Sequence, residues 1–309
     1  MKIITSGKPY IDIDAYAGII SYAELLNLQG QPAIAYSSSV PNESVPPAIL
    51  AWKTPLVTEY VLQPGDTFAL VDISSPDQFD PLVEVERVAT VIDHHTGHEQ
   101  FWLEKLGPDH AHIEFVGSAC TLIYELWRDS GLLGQISELS ARLMIAAILD
   151  NTLNFKAHLT LQRDHDAHQA LLSLAHLPQD WAATYFSQCQ EVITENLERA
   201  IRNDTKVVDK PIIPHYPTCF GQLVVWDAQP VLAQLPTIRS TLAGMKADWA
   251  MNLVSIHEGK SYFIADDPDV QAALANITGV SFDESLAQAD RLWLRKEIVK
   301  QAAMFSNKF

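Results

Sequence analysis

Asp93, His94 and His95 close a short apolar run, residues 88–92, that reads as a buried strand. Three other apolar runs end in the same way. Residues 2–5 lead through Gly7 to Asp12 and Asp14, residues 68–71 lead to Asp72, and residues 143–149 lead to Asp150. Ligand sites in open α/β sheets form beyond the carboxyl ends of the strands, so four such ends would bring carboxylates and imidazoles to one place. Taken singly, each residue has an ordinary explanation. An aspartate after a strand is often only a helix cap or a turn former, and a lone histidine is more often a surface or core residue than a ligand. Their joint placement points to a metal site. The carboxylates of Asp12, Asp14, Asp72 and Asp150 with the imidazole of His94 suit Mn2+, Mg2+, Co2+ or Zn2+. Two such ions could share one carboxylate, neutralise phosphoryl oxygens and make hydroxide available from water near neutral pH.

The elements that must position these groups follow from spacing. Residues 2–5, 33–36 and 88–92, and the run that ends at Asp72, read as strands, with a further strand at 113–116. Residues 15–28 have helical spacing and end at Gly30. Residues 47–52 form a short helix, and Gly117-Ser118 opens another that runs through Trp127. The free N–H groups of that last helix start would suit an anion, although a simple helix N-terminus explains the same residues. Residues 137–149 read as helical or buried, and 160–175 and 179–203 as two helices. Strand and helix in alternation signal a parallel sheet with crossover helices. The composition changes near residue 204, where Pro211, Pro214 and Pro217 interrupt any helical period. Beyond it come a strand at 222–226, a helix at 231–246, a hairpin at 249–256 and 261–265, and helices at 269–276 and 284–303. The expected fold is α/β: an N-terminal parallel-sheet domain with flanking helices, residues 1–190, a linker helix or hinge at 191–203, and a smaller C-terminal α/β domain at 204–309.

The bulk composition narrows the partners. A chain of 309 residues with 48% apolar side chains can bury large cores. Its net charge of −17 argues against a general nucleic-acid or anionic-membrane surface. A polyanionic substrate would need a local basic pocket and bound cations. Three cysteines, an odd number without metal-type spacing, suggest a reducing compartment. The first ten residues lack the apolar core of a signal peptide, and no run approaches the roughly 18 apolar residues of a membrane span. A cytoplasmic protein is expected.

With these motifs the chain resembles the DHH phosphoesterase superfamily. The motifs are Gly7 with Asp12 and Asp14, Leu70-Val71-Asp72, Val91-Ile92-Asp93-His94-His95, the run from Ile148 through Asp150 to Lys156, and Gly117-Ser118. In particular it resembles the branch with a DHHA2-type C-terminal domain: manganese-dependent (family II) inorganic pyrophosphatases, exopolyphosphatases and prune-like proteins. The resemblance implies Mn2+, Mg2+ or Co2+, one or two ions per chain, in a cleft between the domains. Asp12 would bind one ion, Asp14, His94 and Asp150 the other, and Asp72 both. His95 would face the substrate phosphate, with Asp93 orienting it. Gly117 and Ser118 would contact substrate, as would Lys206, Arg295 and Lys296 of the C-terminal domain, and a homodimer through a sheet edge is implied.

Three departures from the family pattern matter. Lys8 stands where the pyrophosphatases place a metal-binding histidine, and a protonated lysine has no lone pair to give. Its ammonium could instead supply positive charge where the first ion would sit, leaving one bound ion. The pyrophosphatase Asp-His-Asn is Asp72-Ile73-Ser74 here, and the Ser-Arg-Lys-Lys-Gln motif is Leu294-Arg295-Lys296-Glu297-Ile298. The function implied is metal-dependent hydrolysis of a phosphoanhydride, in pyrophosphate or short polyphosphate. One alternative is a phosphodiesterase or phosphatase for a nucleotide or other organic phosphate, with Tyr10, Ile11 and Trp293 giving an apolar pocket. The other is a degenerate homologue that binds phosphate without turnover.

Overall fold

Lys2–Thr5, Thr67–Val71 and Val88–Asp93 are short, mainly apolar runs, and all three are inner strands of one parallel sheet. The computed structural model, which describes residues 1–306, divides the chain into two units, Met1–Tyr185 and Phe186–Phe309. The first unit is built on a five-stranded sheet in the order Ala33–Ala35, Lys2–Thr5, Thr67–Val71, Val88–Asp93 and Ala111–Ile113, with every pairing parallel. Parallel sheets are covered on both faces, which is why Ile3, Ile4, Phe68 to Val71, Val91 and Ile92 are fully buried. Helix Ile13–Leu28 packs on the sheet and against helices Ala119–Asp129 and Glu138–Asn151. A cluster that includes Phe68, Leu70, Phe79, Val91 and Trp102 forms further core.

The register brings two of the sequence motifs side by side. Val71 pairs with Ile92, and the Asp72 N–H donates to the Ile92 carbonyl at 2.8 Å. Asp72 and Asp93 therefore leave the sheet together, at the carboxyl end.

The second unit holds a six-stranded sheet in the order Phe282–Asp283, Leu286–Ala289, Lys260–Ile264, Trp249–Ser255, Cys219–Val225 and Thr205–Val207. Only the pairing of Trp249–Ser255 with Cys219–Val225 is parallel. The hairpin expected from the sequence is present as Trp249–Ser255 and Lys260–Ile264. The fold class is as expected: a parallel sheet with flanking helices, followed by a smaller unit with a mixed sheet. Among the described residues no helix is long and apolar enough to cross a membrane.

Several elements differ from their sequence reading. The segment before Asp150, expected to be helical or buried yet grouped with the strand ends, is the end of helix Glu138–Asn151, so three strands and one helix converge. Its apolar residues are buried nearly all round, and a helix buried on every side shows no periodicity to betray it. The strand expected at 113–116 lies earlier, at Ala111–Ile113. Residues 179–203 break into Trp181–Glu195 and Leu197–Asn203, because Asn196 caps the second helix by accepting from the Arg199 N–H. Residues 231–246 break into Gln229–Leu232 and Leu235–Ala243, with Pro236 in the first turn of the second helix, where its missing N–H costs nothing. The helix expected at 284–303 begins only at Arg295. Leu286–Ala289 is a strand that pairs antiparallel with Lys260–Ile264 and turns Ala287 and Ala289 inward.

Candidate metal centre

Asp72 follows the last residue of its strand in the left-handed region, at φ 60°. Aspartate tolerates that conformation better than most residues, and strained backbone concentrates at functional sites. The side chain is buried, and its Oδ1 accepts no hydrogen bond. That oxygen lies 3.3 Å from Nε2 of His94. The other ring nitrogen of His94, Nδ1, is 3.0 Å from the Val116 carbonyl. A carbonyl can only accept, so Nδ1 carries a proton, and Nε2 is the nitrogen turned toward Asp72. Hard carboxylate oxygens with one neutral imidazole nitrogen are a fitting donor set for a divalent ion. The ligand atoms of Asp72, His94 and His95 all lie within 4.8 Å of one another.

His95 is placed differently. Its Nδ1 is 2.8 Å from Oδ1 of buried Asp93, which also accepts from the backbone N–H groups of His94 and His95. Nδ1 is thus committed to Asp93, although the ring itself is 60% exposed. Desolvation lowers the pKa of His95, but the bond to Asp93 and the charge of Asp72 outweigh it and hold the pKa above the usual imidazole value.

Helix Ile13–Leu28 contributes the next two carboxylates from its first turn. Asp12 caps the helix and accepts from the Ala15 N–H at 3.0 Å. Asp14 is fully buried and meets the start of helix Ala119–Asp129. It accepts from the Ser118 hydroxyl at 2.8 Å, the Ala119 N–H at 2.8 Å and the Cys120 N–H at 3.0 Å. The positive end of that helix suits a carboxylate. Asp150, near the end of helix Glu138–Asn151, lies within 3.0 Å of the Tyr185 hydroxyl.

These acids disturb one another. Burial, and then the charges of Asp12 and Asp14, push Asp72 well above the usual carboxylate range. Asp12 is raised by burial and by Asp14. Burial raises Asp150 to about 7, helped by Asp12 and Asp14 and opposed by the bond to Tyr185. Such a cluster stores repulsion that a cation relieves.

The sequence-predicted residues Asp12, Asp14, Asp72, Asp93, His94, His95 and Asp150 therefore meet in one place. Gly117 and Ser118 join them, but as supports. The anion at their helix start is the chain's own Asp14, and the Gly117 N–H goes to Asp164 at 3.1 Å. Lys8 is exposed, and its charge is felt at Asp77. Lys206, Arg295 and Lys296 belong to the second unit. Lys206 is exposed on strand Thr205–Val207, and burial lowers the pKa of Lys296. The Arg295 guanidinium bonds the Asp204 carbonyl at 2.6 Å, its carboxylate at 2.5 Å and the Phe220 carbonyl at 3.2 Å. Trp293 is core, with the Arg291 guanidinium 3.9 Å over its ring. Sequence reasoning missed Tyr185 and Asp164, which reach the site across 35 and 47 residues. The one local signal for Asp164 was an acid at the third position of a helix, where it can cap.

A parallel sheet whose strand ends carry these acids and imidazoles matches the model of the DHH family, N-terminal domain, over residues 2–148. The match covers just under half of the chain. Residues of this chain are 32% identical over 201 positions to a probable manganese-dependent inorganic pyrophosphatase of Deinococcus radiodurans, a match spanning 63% of this chain and 62% of that one. The chain spans less than two thirds of the length of the curated relatives it matches. Among solved structures, one assigned to the family II inorganic pyrophosphatases of Methanococcus jannaschii superposes with a TM-score of 0.68 at 19% identity, covering 98% of this chain and 99% of that one. An exopolyphosphatase-related protein of Bacteroides fragilis follows at 0.50 and 14% identity, covering 99% and 92%. These two likenesses establish the shared fold.

Proposed function

We propose that the protein is a divalent-metal-dependent phosphohydrolase that cleaves phosphoanhydride bonds, in inorganic pyrophosphate or short polyphosphate. The observation that carries this reading is the close approach of Asp72 Oδ1 and His94 Nε2, 3.3 Å apart, within a cluster of buried acids. Similarity to manganese-dependent inorganic pyrophosphatases supports Mn2+, with Mg2+ or Co2+ as substitutes. Asp12 and Asp72 would hold one ion, and Asp14, Asp72, His94 and Asp150 the other. When bound, such ions neutralise phosphoryl oxygens and acidify a coordinated water. The protein's own groups do the rest. Val116 fixes the His94 tautomer, and the helix start at Ser118 holds Asp14 still. Asp93 keeps the proton on Nδ1 of His95, so Nε2 is the edge that meets a phosphate oxygen. The family resemblance would give Lys206, Arg295 and Lys296 of the second unit the role of binding phosphate oxygens.

The organic-phosphate alternative drew on Trp293 as a platform for a base. That ring is only 4% exposed in the core of its unit, so the phosphoanhydride reading stands first. A homodimer and a cytoplasmic location belong to the same proposal. The three cysteines, all free and buried, support the latter.

The test is phosphate release by metal-stripped protein resupplied with Mn2+ or Mg2+, on pyrophosphate, tripolyphosphate, long polyphosphate and a dinucleotide. Asp72→Asn should lower turnover of the preferred substrate by roughly a thousandfold or more, because it removes a carboxylate that would hold both ions. Retained activity in that variant would overturn the reading.

A further inference from the structure

Asp14 and His94 are both held by the short turn Val116-Gly117-Ser118, and the turn is itself held by Asp164. We propose that Asp164 is a positioning residue for the metal centre, an inference that rests on the metal reading above. Asp164 is fully buried and lies in the first turn of helix Gln162–Ala175. Its Oδ2 accepts from the Gly117 N–H at 3.1 Å and the Leu161 N–H at 2.8 Å, and its Oδ1 accepts from the Thr121 hydroxyl at 2.7 Å. One carboxylate thus ties together the turn, the first turn of helix Ala119–Asp129 and the start of its own helix.

The two outputs of that turn point into the site. The Val116 carbonyl sets the His94 tautomer, and Ser118, Ala119 and Cys120 grip Asp14. Gly117, between them, has no room for a side chain. A Cβ there would come within 2.6 Å of Asp164 Oδ2 and 2.8 Å of Thr152 Cγ2. The turn is therefore seated directly on Asp164.

A plain capping role explains only one of the three bonds, that to Leu161. A serine or threonine could cap a helix without the cost of burying a carboxylate away from water. The other two bonds reach across 47 and 43 residues to the segment that holds the metal ligands. Groups that orient ligands from behind typically carry ten- to a hundredfold in metal affinity.

The experiment compares Mn2+ dissociation constants, read by electron paramagnetic resonance of the free ion, with melting temperatures of the metal-free proteins. Asp164→Ala should raise Kd by about ten- to a hundredfold. Asp164→Asn should restore most of the affinity, because its amide oxygen can accept both N–H groups while its NH2 donates to Thr121. Thr121→Val, which removes one bond of the three, should fall between them and serves if Asp164→Ala does not fold. Leu26→Ala is the control. It opens a cavity three turns down the helix that carries Asp14, lowering the melting temperature while leaving Kd within about threefold of the parent. Equal Kd changes in Asp164→Ala and Leu26→Ala, or in Thr121→Val and Leu26→Ala, would overturn the positioning role while leaving the metal reading intact. Absence of saturable Mn2+ binding in the parent protein would overturn the metal reading and this inference together.

Discussion

Each side chain at the centre is set by one or two contacts that fix what it can offer. His94 turns Nε2 toward Asp72 because Nδ1 donates to the Val116 carbonyl, and His95 is turned by Asp93. Another histidine shows the same dependence on surroundings in a purely structural role. His168 lies against Phe155, edge to face with ring centres 5.0 Å apart, and burial with the neighbouring charge of His165 lowers its pKa to about 4. In the unfolded chain it titrates near 6.5. Between these values the unfolded state binds more protons than the folded one, so stability rises with pH across the window and is lost as pH falls through it. The ring keeps some solvent contact, so its screened contribution is of order 1 kcal/mol. Urea unfolding of the parent and His168→Phe at pH 7 and pH 5 checks this. The parent should lose more stability on acidification than the variant, and equal losses would show that His168 is not responsible. At this scale the sequence was most informative about residues whose type announces chemistry, such as Asp12, Asp72 and His94. It was silent on Tyr185, whose phenol touches Asp150 only because the chain returns after 35 residues.

At the scale of elements, the metal ligands depend on how closely helix Ile13–Leu28 lies on the sheet. Gly18 marks the closest approach. A Cβ there would lie 2.6 Å from Val71 Cγ1 and 3.0 Å from Ile123 Cδ1. Val71 immediately precedes Asp72, and Asp12 and Asp14 stand one to two turns before Gly18 on the same chain segment. Gly18→Ala would therefore push the helix off the strand and spread the carboxylates. Overpacking of this kind costs about 1–3 kcal/mol. The expected outcome is that stability loss, read by urea unfolding, together with weaker Mn2+ binding. An alanine variant as stable as the parent would mean the gap can open without cost. The inner strands were legible because they are short, apolar and followed by turn residues. The helix before Asp150 was legible only as helical or buried, and was grouped with the strand ends, because burial on all sides erased its period. The strand Leu286–Ala289 was hidden because a Leu-Ala-Gln-Ala run has no strong preference of its own, and only pairing with Lys260–Ile264 selects the extended form.

Charge is distributed unevenly over the whole molecule. Residues 1–185 hold 9 Lys and Arg against 23 Asp and Glu, a net −14 of the chain's −17. The unit that carries the candidate centre is thus strongly self-repelling, and its buried acids add to that cost. The overall acidity was legible from composition, but the acids that bear on stability could be told apart only once burial was known. Divalent ions should therefore stabilise the protein by two separable routes. General screening depends on ionic strength alone and does not saturate at low concentration. Site binding follows mass action and adds about 2.7 kcal/mol when the free ion is a hundred times its Kd. For a unit of this size that is roughly a 5–10 °C rise in melting temperature. Calorimetry with Mn2+, with NaCl at matched ionic strength, and with Mn2+ plus a chelator separates the routes. A saturable rise with Mn2+ that NaCl does not reproduce, that the chelator reverses and that Asp72→Asn abolishes would place the ion at the carboxylate cluster. A rise matched by NaCl would reduce the effect to screening of a highly acidic surface and leave the cluster without a ligand.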